Sequence, residues 1–96
     1  MEIKKRDAEA GMEQYAVMLY GDDSYEMENV INVLCKIIPG YGSTKAMKCF
    51  EEAQENGKSV VIVTSKPVAE EIAVKIARNK PLIVTDVEGP LGKDED

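Results

Sequence analysis

Ninety-six residues bound the chain to one small domain with a single modest core. The composition is globular, 44% hydrophobic and 31% charged, and twelve basic against eighteen acidic side chains leave a formal net charge of -6. That balance excludes a general nucleic-acid binder, which needs a basic face for phosphates, and a surface that docks on anionic lipid; an electrostatically chosen partner is cationic.

Residues Met1 to Gln14 are polar and charged and read as a mobile extension, because they offer little apolar surface to offset the entropy of ordering. The first fifteen residues lack the apolar run of a signal peptide, and no segment approaches the roughly 18 to 20 apolar residues of a membrane span. Tyr15 to Tyr20, YAVMLY, is rich in strand formers and stopped by Gly21, which predicts the first strand. The first helix is predicted from Tyr25 to Ile38, with Met27, Val30, Ile31, Leu34, Ile37 and Ile38 spaced at three and four. Ser24 is its candidate N-cap, and Pro39 to Ser43, PGYGS, stops it.

A second helix is predicted from Thr44 to Asn56, capped by Ser43 and ended by Gly57. Ser59 to Thr64, SVVIVT, is the second strand. Ser65 then caps a third helix that tolerates Pro67 in its first turn and buries Val68, Ala69, Ile72, Ala73, Ile76 and Ala77. Pro81 breaks that helix, and Leu82 to Val87 is the third strand. Residues from Glu88 onward are acidic, punctuated by Gly and Pro, and read as a frayed tail. The order β-α-α-β-α-β, without internal repeats or a dividing linker, predicts an α+β sandwich of three helices on one face of a small three-stranded sheet. The domain proper spans 15–88, between a flexible extension over 1–14 and an acidic tail over 89–96.

Cys35 and Cys49 fall inside predicted helices. With no His and no CxxC pair, neither a zinc nor a redox site is expected, and two free thiols suit a reducing cytoplasm. The chemistry concentrates at the first strand-to-helix junction, GDD, where Asp22 and Asp23 precede a helix carrying Met27 in its first turn. Two carboxylates there have two readings. They accept hydrogen bonds from free helix N–H groups and favour the positive end of the helix dipole, or they capture a small cationic group with an apolar appendage. No third carboxylate, His or Lys stands in a supporting motif, so neither an acid–base nor a metal role is expected and the chain does not read as an enzyme.

An apolar strand followed by GDD, Met27, VINVL over 30–34, then ENGKSVVIVT, VAEE over 68–71 and Pro81-Leu82, resembles the Clp protease adaptor family, ClpS, over about residues 15 to 88. The ribosomal stalk protein's C-terminal domain is similar in architecture, so the fold by itself leaves the function open. The resemblance implies a protein-binding module without a cofactor. Such a module holds the α-amino group of a substrate protein, buries its large apolar N-terminal side chain, and delivers it to a Clp-type AAA+ unfoldase through that unfoldase's N-terminal domain. Neither nucleic acid nor membrane is implied.

Position by position, the amine-binding junction maps to Gly21, Asp22 and Asp23, with Gln54 from the second helix. The apolar pocket maps to Met27, Val30, Phe50, Ala53 and Leu82. Unfoldase docking maps to Ser24, Pro67 and Ile72. The family's amine-binding Asn is Gly21 here and its His is Gln54, which accepts through its amide oxygen but does not titrate. Phe50 is bulkier than the family's Met, and Ala53 smaller than its Val. These departures support a second reading, a ClpS-like interaction module that has lost amine recognition.

Overall fold

The computed structural model describes residues 13–92. Six elements follow in the order β1 (Gln14–Tyr20), α1 (Met27–Ile37), α2 (Ser43–Asn56), β2 (Lys58–Ser65), α3 (Lys66–Ala77) and β3 (Thr85–Glu88). The strands form one antiparallel sheet in the order β2-β1-β3, so the first strand becomes the central one. This is the predicted α+β architecture of three helices on a three-stranded sheet.

Alternation along β1 decides which face the helices cover. Val17 and Leu19 point into the core, where Val30, Val33 and Leu34 of α1, Ala46, Cys49, Phe50 and Ala53 of α2, and Ala69, Ile72 and Ile76 of α3 meet them. Each buried Val, Leu, Ile or Phe contributes about 1.5 to 3 kcal/mol relative to exposure, so this one cluster supplies most of the drive to fold. The spacing of 30, 33 and 34, and of 69, 72 and 76, is the helical three-and-four rhythm of the sequence. Val68 and Ala77, expected on the buried face, are instead exposed, and Val33, outside the predicted stripe of the first helix, is buried.

The β1–β2 register skips Val61, since Val17 pairs with Ile62 and Met18 with Val60. Val61 is therefore the extra residue of a bulge. A carbonyl released from the ladder needs another donor, and the Tyr41 hydroxyl supplies it, donating to Val61 O at 2.7 Å from the turn between α1 and α2. Nearby, Ser59 Oγ donates to Cys49 O at 2.7 Å and lies 3.0 Å from Cys49 Sγ. Burial, first, and then neighbouring Cys49 push the Tyr41 phenol up, and burial pushes the Cys49 thiol up.

A raised pKa means the folded state keeps a proton that the unfolded state releases. The stability these groups contribute is complete below the unfolded thiol's pKa of about 8.5 and is lost as pH rises past it toward the folded values. It follows that Cys49 resists alkylation while half-buried Cys35 reacts. Mass spectrometry of the native protein after iodoacetamide treatment at mildly alkaline pH is expected to show one fast adduct, on Cys35. Equal labelling of both thiols in the native state would contradict the packing.

Several boundaries move. The first helix begins at Met27 rather than Tyr25, with extended Glu26 at the cap position and Ser24 outside the helix. It ends at Ile37, because Ile38 precedes Pro39 and is extended. Gly42, not Ser43, occupies the cap position of α2, while Gly57 closes it in the left-handed conformation with φ 94°. Ser65 occupies the cap position of α3 as predicted but makes no side-chain cap bond. The third strand begins at Thr85 rather than Leu82, since β1 runs out at Tyr20, which bonds Val84 O, and leaves Leu82 and Ile83 without a ladder partner. Gln14, placed by sequence in the extension, opens β1, and its carbonyl accepts Leu91 N at 2.8 Å. Residues 1–12 of the extension and residues 93–96 lie outside the described residues. No helix among the described residues is long and apolar enough to cross a membrane.

Candidate functional site

The junction between β1 and α1 is held by its backbone. Gly21 N donates to Gly57 O at 3.0 Å, tying the end of β1 to the C-terminal end of α2. One residue on, the Gln54 amide grips the backbone of Asp22 with both of its polar atoms. Asp22 N donates to Gln54 Oε1 at 2.7 Å, and Gln54 Nε2 donates to Asp22 O at 3.1 Å. Asp22 O also accepts Tyr25 N at 3.1 Å, closing a turn. The Asp22 carboxylate folds onto that turn, its Oδ2 accepting Ser24 N at 3.3 Å and the Ser24 hydroxyl.

Close approach explains the glycine. A Cβ on Gly21 would fall well inside van der Waals contact of the Ala53 carbonyl oxygen, and 2.9 Å from Gln54 Oε1. The chain passes α2 so closely at this point that no side chain fits without displacing backbone.

The predicted amine-binding set is thus brought together and partly committed. Gly21 contributes no side-chain acceptor, and Gln54 Oε1 is already engaged by Asp22 N. Both carboxylates are exposed, and Asp23 has no hydrogen bond or ion pair among the described residues. Two exposed carboxylates at a fixed turn suit a cation with several N–H donors.

The predicted apolar set divides in two. Val30, Ala53 and Phe50, at 0%, 1% and 9% exposure, belong to the core, whereas Met27 at 42% and Leu82 at 59% stand at the surface. Tyr25 ties their two segments, since its hydroxyl accepts Val84 N at 2.8 Å. Met27 and Leu82 follow and precede the two ends of this bond by two residues each. The sequence reading missed Tyr25, which it took as the first helical residue. The available signal was an aromatic hydroxyl two residues after the Asp pair. A depression of about 580 Å³ on the outer side of α2, lined by Lys48, Phe50, Glu51, Glu52, Gln54 and Glu55, includes Phe50 and Gln54 from the predicted sets.

Of the three docking positions, Ser24 and Pro67 are exposed, but Ile72 is not. It is 7% exposed and packs in the core with Ala69 and Ile76, so it offers a partner no surface. Among the described residues no group of three or more His, Cys, Asp or Glu is placed to hold a metal ion.

Residues 10–85 match the family model described as ATP-dependent Clp protease adaptor protein ClpS. The chain is 35% identical over 75 residues to the ATP-dependent Clp protease adapter protein CLPS1, chloroplastic, of Arabidopsis thaliana, a match covering 78% of this chain and 47% of the relative. It is 44% identical over 59 residues to the ATP-dependent Clp protease adapter protein ClpS of Gloeobacter violaceus, covering 62% of this chain and 63% of the relative. The chain therefore spans about half and somewhat under two thirds of the lengths of these two relatives. In fold it is similar to Agrobacterium tumefaciens ClpS2, solved bound to L-phenylalaninamide, with a TM-score of 0.71 at 24% identity over 79% of this chain and 95% of that one.

Proposed function

The chain belongs to the ATP-dependent Clp protease adaptor protein ClpS family, and from that membership we propose that it is a non-catalytic adaptor that binds proteins with a large apolar N-terminal residue and hands them to a Clp-type AAA+ unfoldase in the cytoplasm. One observation carries this reading. Asp22 and Asp23 stand exposed at a turn fixed by Gln54, and Met27 and Leu82, each two residues from an end of the Tyr25–Val84 bond, expose their side chains. In the proposed complex the substrate's ammonium donates to the free Asp22 oxygen and to the Asp23 carboxylate. Its first side chain lies over Met27 and Leu82, with Phe50, Val30 and Ala53 behind them. Burying such a side chain contributes about 1.5 to 3 kcal/mol, and charge-assisted hydrogen bonds to the ammonium about as much again.

L-phenylalaninamide, the ligand of the A. tumefaciens ClpS2 structure, is a small probe with both features, a free α-amine and a benzyl group. Titration of this chain with it, and with peptides starting Leu, Phe, Tyr or Trp, is expected to give dissociation constants of about 1 mM or tighter. Asp22→Asn with Asp23→Asn, or N-acetylation of the peptide, should abolish the binding. Silence of every probe with the protein folded would refute amine capture.

A second reading rests on a different observation. Gln54 spends its acceptor on the backbone and Gly21 offers none, so two of the polar groups implied by the family likeness are withdrawn. On this reading the module binds a protein surface without regard to the amine. Peptide binding that survives N-acetylation would select it over the first.

A further inference from the structure

The edge strand β3 and the helix beside it form a second candidate interface, built from residues other than those of the amine corner. In the sheet order β2-β1-β3, β3 pairs with β1 alone. Tyr20 N donates to Val84 O at 3.1 Å, which fixes the alternation of the ladder. Asp86 and Glu88 turn their peptide groups toward β1, and Thr85 and Val87 turn theirs outward. Val87 N accordingly finds no partner in β1 and donates to Asp86 Oδ1 at 2.8 Å. The outward N–H and C=O of Thr85 and the C=O of Val87 have no partner among the described residues.

Alongside that free edge runs a groove of about 530 Å³, walled by Glu70, Ala73, Val74 and Ala77 of α3 and by Thr85, Asp86 and Val87 of β3. Ala73 and Ala77 stand one turn apart and leave width for incoming side chains. Glu70 on one wall and Asp86 on the other form no ion pair among the described residues, where Glu71 and Glu88 pair with Lys75 and Lys58.

We propose that an extended, basic and apolar segment of a partner protein adds to β3 as a fourth strand in this groove. Its outward backbone bonds go to Thr85 and Val87, alternate apolar side chains lie over Ala73 and Ala77, and the Lys or Arg between them, on the opposite face, meet Asp86, while Glu70 at the end of the groove adds to the negative field. Asp86 guards the edge in the free protein by occupying Val87 N. On binding it yields that N–H to the guest strand and turns its carboxylate to the guest's cation. The charge pattern sets a second copy of this chain aside: β3 reads TDVE, and two such edges would bring acidic side chains together in a chain whose net charge is -6.

The test uses the acetylated and amidated peptide Lys-Val-Lys-Val-Lys-Val, which has no α-amine for the junction to hold, titrated into the ¹⁵N-labelled full chain. Saturable shifts of the Thr85, Val87, Ala73 and Ala77 amides are expected, and the peptide with Glu in place of Lys should leave them unmoved. Thr85→Pro removes an N–H that β1 does not use, and Ala77→Leu fills the groove from an exposed position. Each should weaken binding roughly tenfold or more with the other resonances of the fold retained. Undiminished binding in both variants, equal binding of the acidic peptide, or shifts centred elsewhere would overturn the proposal. So would dimers in sedimentation with these same amides shifted in the absence of peptide.

Discussion

Replacing Gly21 by the asparagine that its family likeness leads one to expect there should destabilise the domain by about 2 kcal/mol and should create no amine site. The added Cβ meets the Ala53 carbonyl oxygen, a backbone atom of α2 that cannot swing aside as a side chain would, as well as Gln54 Oε1. To admit it, the end of β1 must retreat from α2. That stretches the Gly21 N bond to Gly57 O and loosens the Gln54 grip on Asp22. Since the collision begins at Cβ, Gly21→Ala should suffer nearly as much as Gly21→Asn. Adding Gln54→Ala should recover little, because the carbonyl remains. For a domain of this size the loss reads as a fall in melting temperature of about 10 °C. An unchanged melting temperature, or tighter binding of L-phenylalaninamide by the asparagine variant, would show that the junction has the slack denied to it here.

The same junction marks where the sequence stopped being legible. Element types and order followed from local periodicity, and the core positions 30, 34, 69, 72 and 76 followed from spacings of three and four. Two of the boundaries that moved depend on distant partners. Tyr25 is kept out of the helix as its hydroxyl reaches Val84, fifty-nine residues away. The third strand starts late because its neighbour ends, and the bulge at Val61 depends on Tyr41, twenty residues upstream.

Ile72 is the most instructive case. Its place in the apolar rhythm of the third helix identified it as core, while carrying a family role over by position made it a docking residue. The structure agrees with the rhythm. A role transferred by position presumes the same exposure, which an isoleucine on the buried face does not have. Gln54 makes a related point. Its chemistry as an acceptor was readable, but its engagement was not, since that arises from the tight passage of Gly21 over α2.

Phe50→Ala is expected to cost more than Gly21→Asn, a loss of about 3 to 5 kcal/mol. Phe50 is 9% exposed and shares a core with Val30, Leu34, Ala53 and Leu19. Truncation removes a whole ring and leaves a cavity between α2 and the sheet. Domains of this kind have about 5 to 15 kcal/mol of total stability, so the variant sits near the edge of unfolding, and urea denaturation should place its midpoint far below that of the parent. Phe50→Met makes the complementary test. Methionine fills comparable space with a flexible chain, so it should cost less than about 1.5 kcal/mol. It also frees room between the core and the depression that Phe50 shares with Gln54. If the ring limits the depth available to a guest side chain, the methionine variant binds L-phenylalaninamide more tightly than the parent while the alanine variant is chiefly unfolded. A cost below about 1 kcal/mol for Phe50→Ala would instead mean that the ring is a pocket wall and not a core residue.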